Sequence, residues 1–130
     1  MTGVQTCALP ISALAVLDVF EEEKLLARSL ALGERLITGL KKIAAKHRAI
    51  GDVRGQGAMV AFELFEGGDF AKPAAELTKQ IVAEAAKRGL ILLSCGTFAN
   101  VIRVLVPLTA SDAVIDEGLA IIDACFAQLA

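Results

Sequence analysis

The sequence predicts an α+β domain, a small and mostly antiparallel sheet covered on one face by helices. Two short apolar runs, residues 90–93 and 101–106, flank the polar link Ser94-Cys95-Gly96-Thr97-Phe98-Ala99-Asn100, which is the pattern of paired strands with turn formers between them. Longer stretches before and after repeat apolar residues in steps of three and four, the period of a helix. In order the chain reads helix, helix, strand, helix, strand, strand, helix, with short connections between them.

At 130 residues this is one ordinary domain, large enough for a core without disulfides or metal. Apolar residues make up 55 % and mean hydropathy is +0.62, yet no apolar run approaches the roughly 18 residues of a membrane-spanning helix. The excess points to a large buried or docked surface. Thirteen basic residues, thinly spread in a chain of net charge −2, leave no electrostatic footprint for nucleic acid. Cys7, Cys95 and Cys125 are odd in number and far apart, with one His47 and no CxxC. That spacing matches no zinc pattern and no secreted disulfide scaffold, so a reducing cytoplasm is expected.

Residues 1–12, MTGVQTCALPIS, carry no charge and no periodicity, and they resemble the translation of a sequencing-library adapter. They are set aside as a non-native segment. If so, Cys7 and Pro10 have no meaning, and the natural protein is expected to extend upstream. Residues 13–48 form a helical segment leading into the domain, with a bend near 21–24 and apolar or small residues at Leu26, Leu30, Gly33, Ile37, Leu40, Ala44 and His47 on one face. His47, alone in a basic helix end, is expected at the surface or as a cap rather than as a catalytic base.

Residues 49–130 are expected to form the α+β domain proper. Residues 58–65 read as a strand after a bend at Gly55 and Gly57, with a short extra strand near 52–54. The RGQG stretch is a turn or bulge, because the Lys-Ser/Thr of a phosphate loop does not follow it. Pro73 is placed in the first turn of a helix that Gly89 stops, with Leu77, Ile81, Val82 and Ala85 inside. Thr109 or Ser111 caps the last helix, whose Ile115, Leu119, Ile122, Phe126 and Leu129 face the core, with Cys125 beside them.

Arg103 stands out, a permanent cation between Ile102 and Val104. Buried, it needs a partner, since an unpaired charge in an apolar setting costs several kcal/mol or more. On the open side of the sheet it would face water. Its planar fork suits a carboxylate gripped through two parallel hydrogen bonds. Cys95 is either a structural thiol or a sensitive one near a site. Arg54 is either a surface charge or half of an ion pair that steadies the domain.

The segments ALAVLDVFEEEKLLARSLALGERL, DVRGQGAMVAFEL and KRGLILLSCGTFANVIRVLVPLTASDAVIDEGL, in order and without large gaps, resemble the C-terminal part of class III aminotransferases, and among them 4-aminobutyrate aminotransferases. ILLSCG and NVIR-x-L-x-PLT are the specific parts; the helices are generic. The resemblance implies the small domain of a pyridoxal-phosphate enzyme of fold type I. Its parent would be a cytoplasmic homodimer that moves an amino group from an ω-amino acid to 2-oxoglutarate. It also implies that Arg103 binds the substrate carboxylate. The cofactor lysine and the other cofactor contacts would lie in a large domain that this chain lacks, so no catalytic, cofactor-binding or metal residue is expected here. Without the resemblance, two other readings stand: a free-standing regulatory module that grips an amino acid through Arg103, and an inert docking domain.

Overall fold

In a computed structural model, residues 3–129 are described, with side chains described from residue 10 onward. The elements are α1 (Gly3–Glu22), α2 (Leu25–Ala44), β1 (Ile50–Gln56), β2 (Met59–Leu64), α3 (Ala75–Lys87), β3 (Leu93–Cys95), β4 (Val101–Leu105) and α4 (Asp112–Leu129), with a single 3-10 turn at Glu66–Gly68. All strand pairings are antiparallel, in the order β1-β2-β4-β3. This is the expected α+β layer pair.

Strand alternation builds the core. Val60, Phe62 and Leu64 of β2 and Ile102 and Val104 of β4 are buried beneath the helices. Against them pack Leu32, Leu36, Leu40 and Ile43 of α2, Ile81 and Ala85 of α3, and Ile115, Ile122, Cys125 and Phe126 of α4. Phe62 and Phe126 meet at 6.2 Å between ring centroids, tilted by 59°. Each such buried side chain contributes about 1.5–3 kcal/mol.

The α2 helix is seated on the β1–β2 hairpin through a backbone contact. A Cβ at Gly33 would lie 1.9 Å from the Gly57 carbonyl oxygen, so only glycine fits there. Gly57 itself has φ +54°, and the Ser29 hydroxyl accepts a hydrogen bond from the Ala58 amide at 3.0 Å. RGQG is thus the approach to a hairpin turn, as expected. At the other end of the chain, Arg28 donates to the Ala110 carbonyl at 2.5 Å, the Leu108 carbonyl at 3.3 Å and Asp112 at 2.8 Å. Ser111 caps α4, accepting from the Val114 amide at 3.4 Å.

Several boundaries differ from the sequence reading. Residues 90–92 are irregular and the strand is only Leu93–Cys95, because this edge pairs solely where it faces Val101–Arg103. The short strand foreseen near 52–54 is a full seven-residue edge strand. Pro73 does not open α3; it pairs with Phe65 in an isolated bridge, and α3 starts at Ala75. In α2 the buried stripe is Leu32, Gly33, Leu36, Leu40 and Ile43, while Leu26 and Leu30 are exposed. In α1, Leu14 and Leu17 are likewise exposed, at 61 % and 60 %. The expected bend is present, with Lys24 in the left-handed region at φ 51°. The α1 helix begins at Gly3, inside the segment set aside as adapter-like.

Candidate functional site

The open face of the sheet carries the residues of interest. Pairing register places Arg54, Ala61, Arg103 and Leu93 in one row across the four strands, and Asp52, Glu63, Val101 and Cys95 in the next. Of the two environments left open for Arg103, the structure gives the exposed one. Among the described residues no hydrogen bond or ion pair engages its guanidinium. It borders a shallow groove of about 380 Å³ that also touches Arg54, Met59, Ala61, Cys95 and Gly96.

Arg54, at the far end of the same row, is fully engaged. Its Nη1 donates to Asp52 and, at 2.9 Å, to Glu63. The bonds to Asp52 and then Glu63 raise its pKa above the already high value of a guanidinium. The ion pair therefore lies within its own sheet.

Two residues at this site escaped sequence reasoning. Asn100 is only 1 % exposed; its Nδ2 donates to the Leu64 carbonyl at 3.0 Å and to Glu63 Oε1 at 3.2 Å, while its own carbonyl accepts from the Leu64 amide at 2.8 Å. It fastens the entry of β4 to the end of β2, three residues before Arg103. Glu63 is a lone charge in an otherwise apolar strand, and its carboxylate joins Arg54 to Asn100. The available signal was an amide directly abutting a buried strand, which must find partners for its polar atoms if it is buried too. The turn before Asn100 is tight, with φ +86° at Gly96 and +52° at Ala99, and it displays Phe98 at 64 % exposure.

His47 and Cys125 lie away from this face, on the helix side of the sheet. His47 shares Asp123 with Lys46, at 3.0 Å and 2.6 Å, and its ring lies 5.5 Å from that of Phe126. It ties the end of α2 to α4 on the helix side of the sheet. Cys125 is buried, and burial pushes its thiol pKa up. Cys95 is exposed beside the groove. Among the described residues no group of three or more His, Cys, Asp or Glu is placed to hold a metal ion. No helix among them is long and apolar enough to cross a membrane.

The residues present do not make a site for pyridoxal phosphate. Every described lysine is exposed. The most enclosed cavity, about 110 Å³ between α2, α4 and the sheet, is lined by Leu36, Leu90, Val104, Ile115 and similar residues with no charged group for a phosphate. Arg103 and its groove lie on the open face of the sheet, away from this cavity.

The model of the family Aminotransferase class-III matches residues 6–126. This chain belongs to the class III aminotransferase family. It is 66 % identical over 119 residues to the 5-aminovalerate aminotransferase DavT of Pseudomonas aeruginosa, covering 92 % of this chain and 28 % of that protein. Over 116 residues it is 60 % identical to the 4-aminobutyrate aminotransferase GabT of Escherichia coli, covering 89 % of this chain and 27 % of that one. Among solved structures it superposes on a Bacillus anthracis aminotransferase with TM-score 0.82 at 26 % identity, covering 89 % of this chain and 27 % of the other. The chain thus spans little more than a quarter of the length of the curated relatives it matches. Nothing in these relatives favours the free-standing regulatory module or the inert docking domain.

Proposed function

We propose that this chain is the C-terminal small domain of a pyridoxal-phosphate-dependent aminotransferase. The parent moves an amino group from 4-aminobutyrate, 5-aminovalerate or a similar ω-amino acid to 2-oxoglutarate. The observation that carries the reading is 60–66 % identity to enzymes named for two of those donors, along nearly the whole chain. A lone guanidinium on the open sheet face supports it, because a group with no partner of its own is available to a substrate carboxylate.

In the parent, pyridoxal phosphate supplies the electron sink for the transfer. Its lysine and its phosphate contacts belong to the upstream domain. What this chain contributes is the carboxylate end: Arg103 grips it through two parallel hydrogen bonds, which orients the opposite, reacting end of the substrate. The parent is a homodimer in the cytoplasm. In this reading residues 1–12 are an adapter-like segment, and residues 13–48 lead into the small domain at 49–130. The test is a hybrid in which residues 13–130 replace the matching C-terminal stretch of the Escherichia coli relative. Transamination of 2-oxoglutarate by 4-aminobutyrate is expected. A hybrid that folds, binds cofactor and transfers no amino group contradicts the reading.

A further inference from the structure

The sheet face holds an acid that threatens its own carboxylate site. Glu63 pairs with Val101, and Arg103 pairs with Ala61, so Glu63 and Arg103 are diagonal neighbours on one face. Such neighbours lie roughly 7–8 Å apart at the backbone, within reach of two long side chains. An arginine beside a mobile glutamate would be expected to pair with it. Here the two do not pair: Glu63 is turned to other donors, with Oε2 accepting from Arg54 at 2.9 Å and Oε1 from Asn100 at 3.2 Å. Arg54 is itself drawn to that side by Asp52, away from the row it shares with Arg103.

We infer that Arg54 is a positioning residue for substrate binding, a guard that holds the Glu63 carboxylate away from Arg103. The inference rests on the reading of Arg103 as the carboxylate clamp. Arg54 does not touch the substrate in this scheme. Its removal frees Glu63 to act as an internal competitor for the Arg103 guanidinium, so the substrate carboxylate must displace it. Asn100 restrains only one oxygen of Glu63, through a neutral donor, and does not replace the charge that Arg54 supplies.

The experiment is steady-state kinetics on the full-length hybrid enzyme described above, with cofactor absorbance and melting temperature recorded for every variant. Arg54→Ala is expected to raise KM for 2-oxoglutarate about fivefold, the size of an exposed ion pair, with little change in kcat. Arg54→Gln, which keeps the stem and hydrogen-bond donors and loses only the charge, gives the same rise if the alanine variant folds poorly. Arg54→Lys stays near the parent value. The decisive variant combines Arg54→Ala with Glu63→Gln, which removes the competitor; KM returns to within about twofold of the parent. An unchanged KM in Arg54→Gln overturns the inference, and so does a raised KM that Glu63→Gln fails to restore. Arg103→Lys separates the two levels. If it leaves KM unchanged, the clamp reading fails and the guard falls with it; if it raises KM while the Arg54 variants behave as the parent, only the guard fails.

Discussion

Arg54 and Arg103 stand in one row of the sheet, either side of Ala61, and Arg54 is held by two carboxylates while Arg103 is held by none among the described residues. Two strand spacings, about 10 Å, separate them. The same residue type in one row of one sheet thus does two different things. Its partners decide which: an arginine with carboxylates of its own is structure, and one without is available to a ligand.

Asn100 should be the most sensitive polar residue of the sheet. Asn100→Ala removes one of two donors to the Leu64 carbonyl, which keeps the Ala74 amide at 3.0 Å, and opens a small void, at a cost of about 0.5–1.5 kcal/mol. A urea unfolding series reads the loss as a lower midpoint with an unchanged slope. A midpoint equal to the parent's would show that the turn before β4 is held by something else.

Gly33→Ala tests the seating of α2 on the hairpin. The added methyl meets the Gly57 carbonyl at 1.9 Å, a backbone atom that cannot rotate away. Overpacking of this kind costs about 1–3 kcal/mol, even though alanine favours the helix itself. The melting temperature is expected to fall; a rise would mean that the helix moves off the turn without loss.

Acid should destabilise the helix layer. The bond from Arg35 holds Asp116 below the usual carboxylate range, Lys46 and then His47 do so for Asp123, and Lys87 and then Arg88 for Glu84. With folded values depressed, the unfolded chain binds more protons as pH falls, so stability is present above the ordinary range near 4 and is lost through the lower folded values. Urea midpoints taken from about pH 5 to pH 2 should decline, and added salt should shrink the decline, since these pairs are exposed. A flat profile would remove these pairs from the account of stability.

The isolated chain should self-associate. Leu14 and Leu17 of α1 and Leu26 and Leu30 at the start of α2 are each more than half exposed, and apolar exposure of this kind favours association. Light scattering is expected to show a mass that grows with concentration, and Leu14→Glu with Leu17→Lys should reduce it. A monodisperse monomer at high concentration would contradict this.

Much of this architecture was legible in the chain. The three-and-four steps of α4 showed which side of that helix is buried, because burial on one face leaves that imprint, whereas the apolar run 101–105 marked a strand without showing which face Arg103 takes. The stripe of α2 was misplaced because its surface is apolar on two sides, one facing the sheet and one exposed through Leu26 and Leu30; periodicity alone does not tell them apart. Pro73 was assigned to a helix on its ring geometry, whereas the backbone pairs it with Phe65. Of the site, Arg103 was visible as a cation in an apolar run. The Arg54–Glu63–Asn100 chain was not, because it depends on the register of three strands far apart in sequence.

The most direct test of the central claim is the kinetic constant of one variant. In the full-length hybrid, Arg103→Lys keeps the charge and loses the planar fork. The account predicts a KM for 2-oxoglutarate at least about tenfold higher, with stability changed by no more than about 0.5 kcal/mol because the residue is exposed. A KM equal to the parent's, in a variant that folds and binds cofactor as the parent does, would contradict the assignment of Arg103 to the substrate carboxylate.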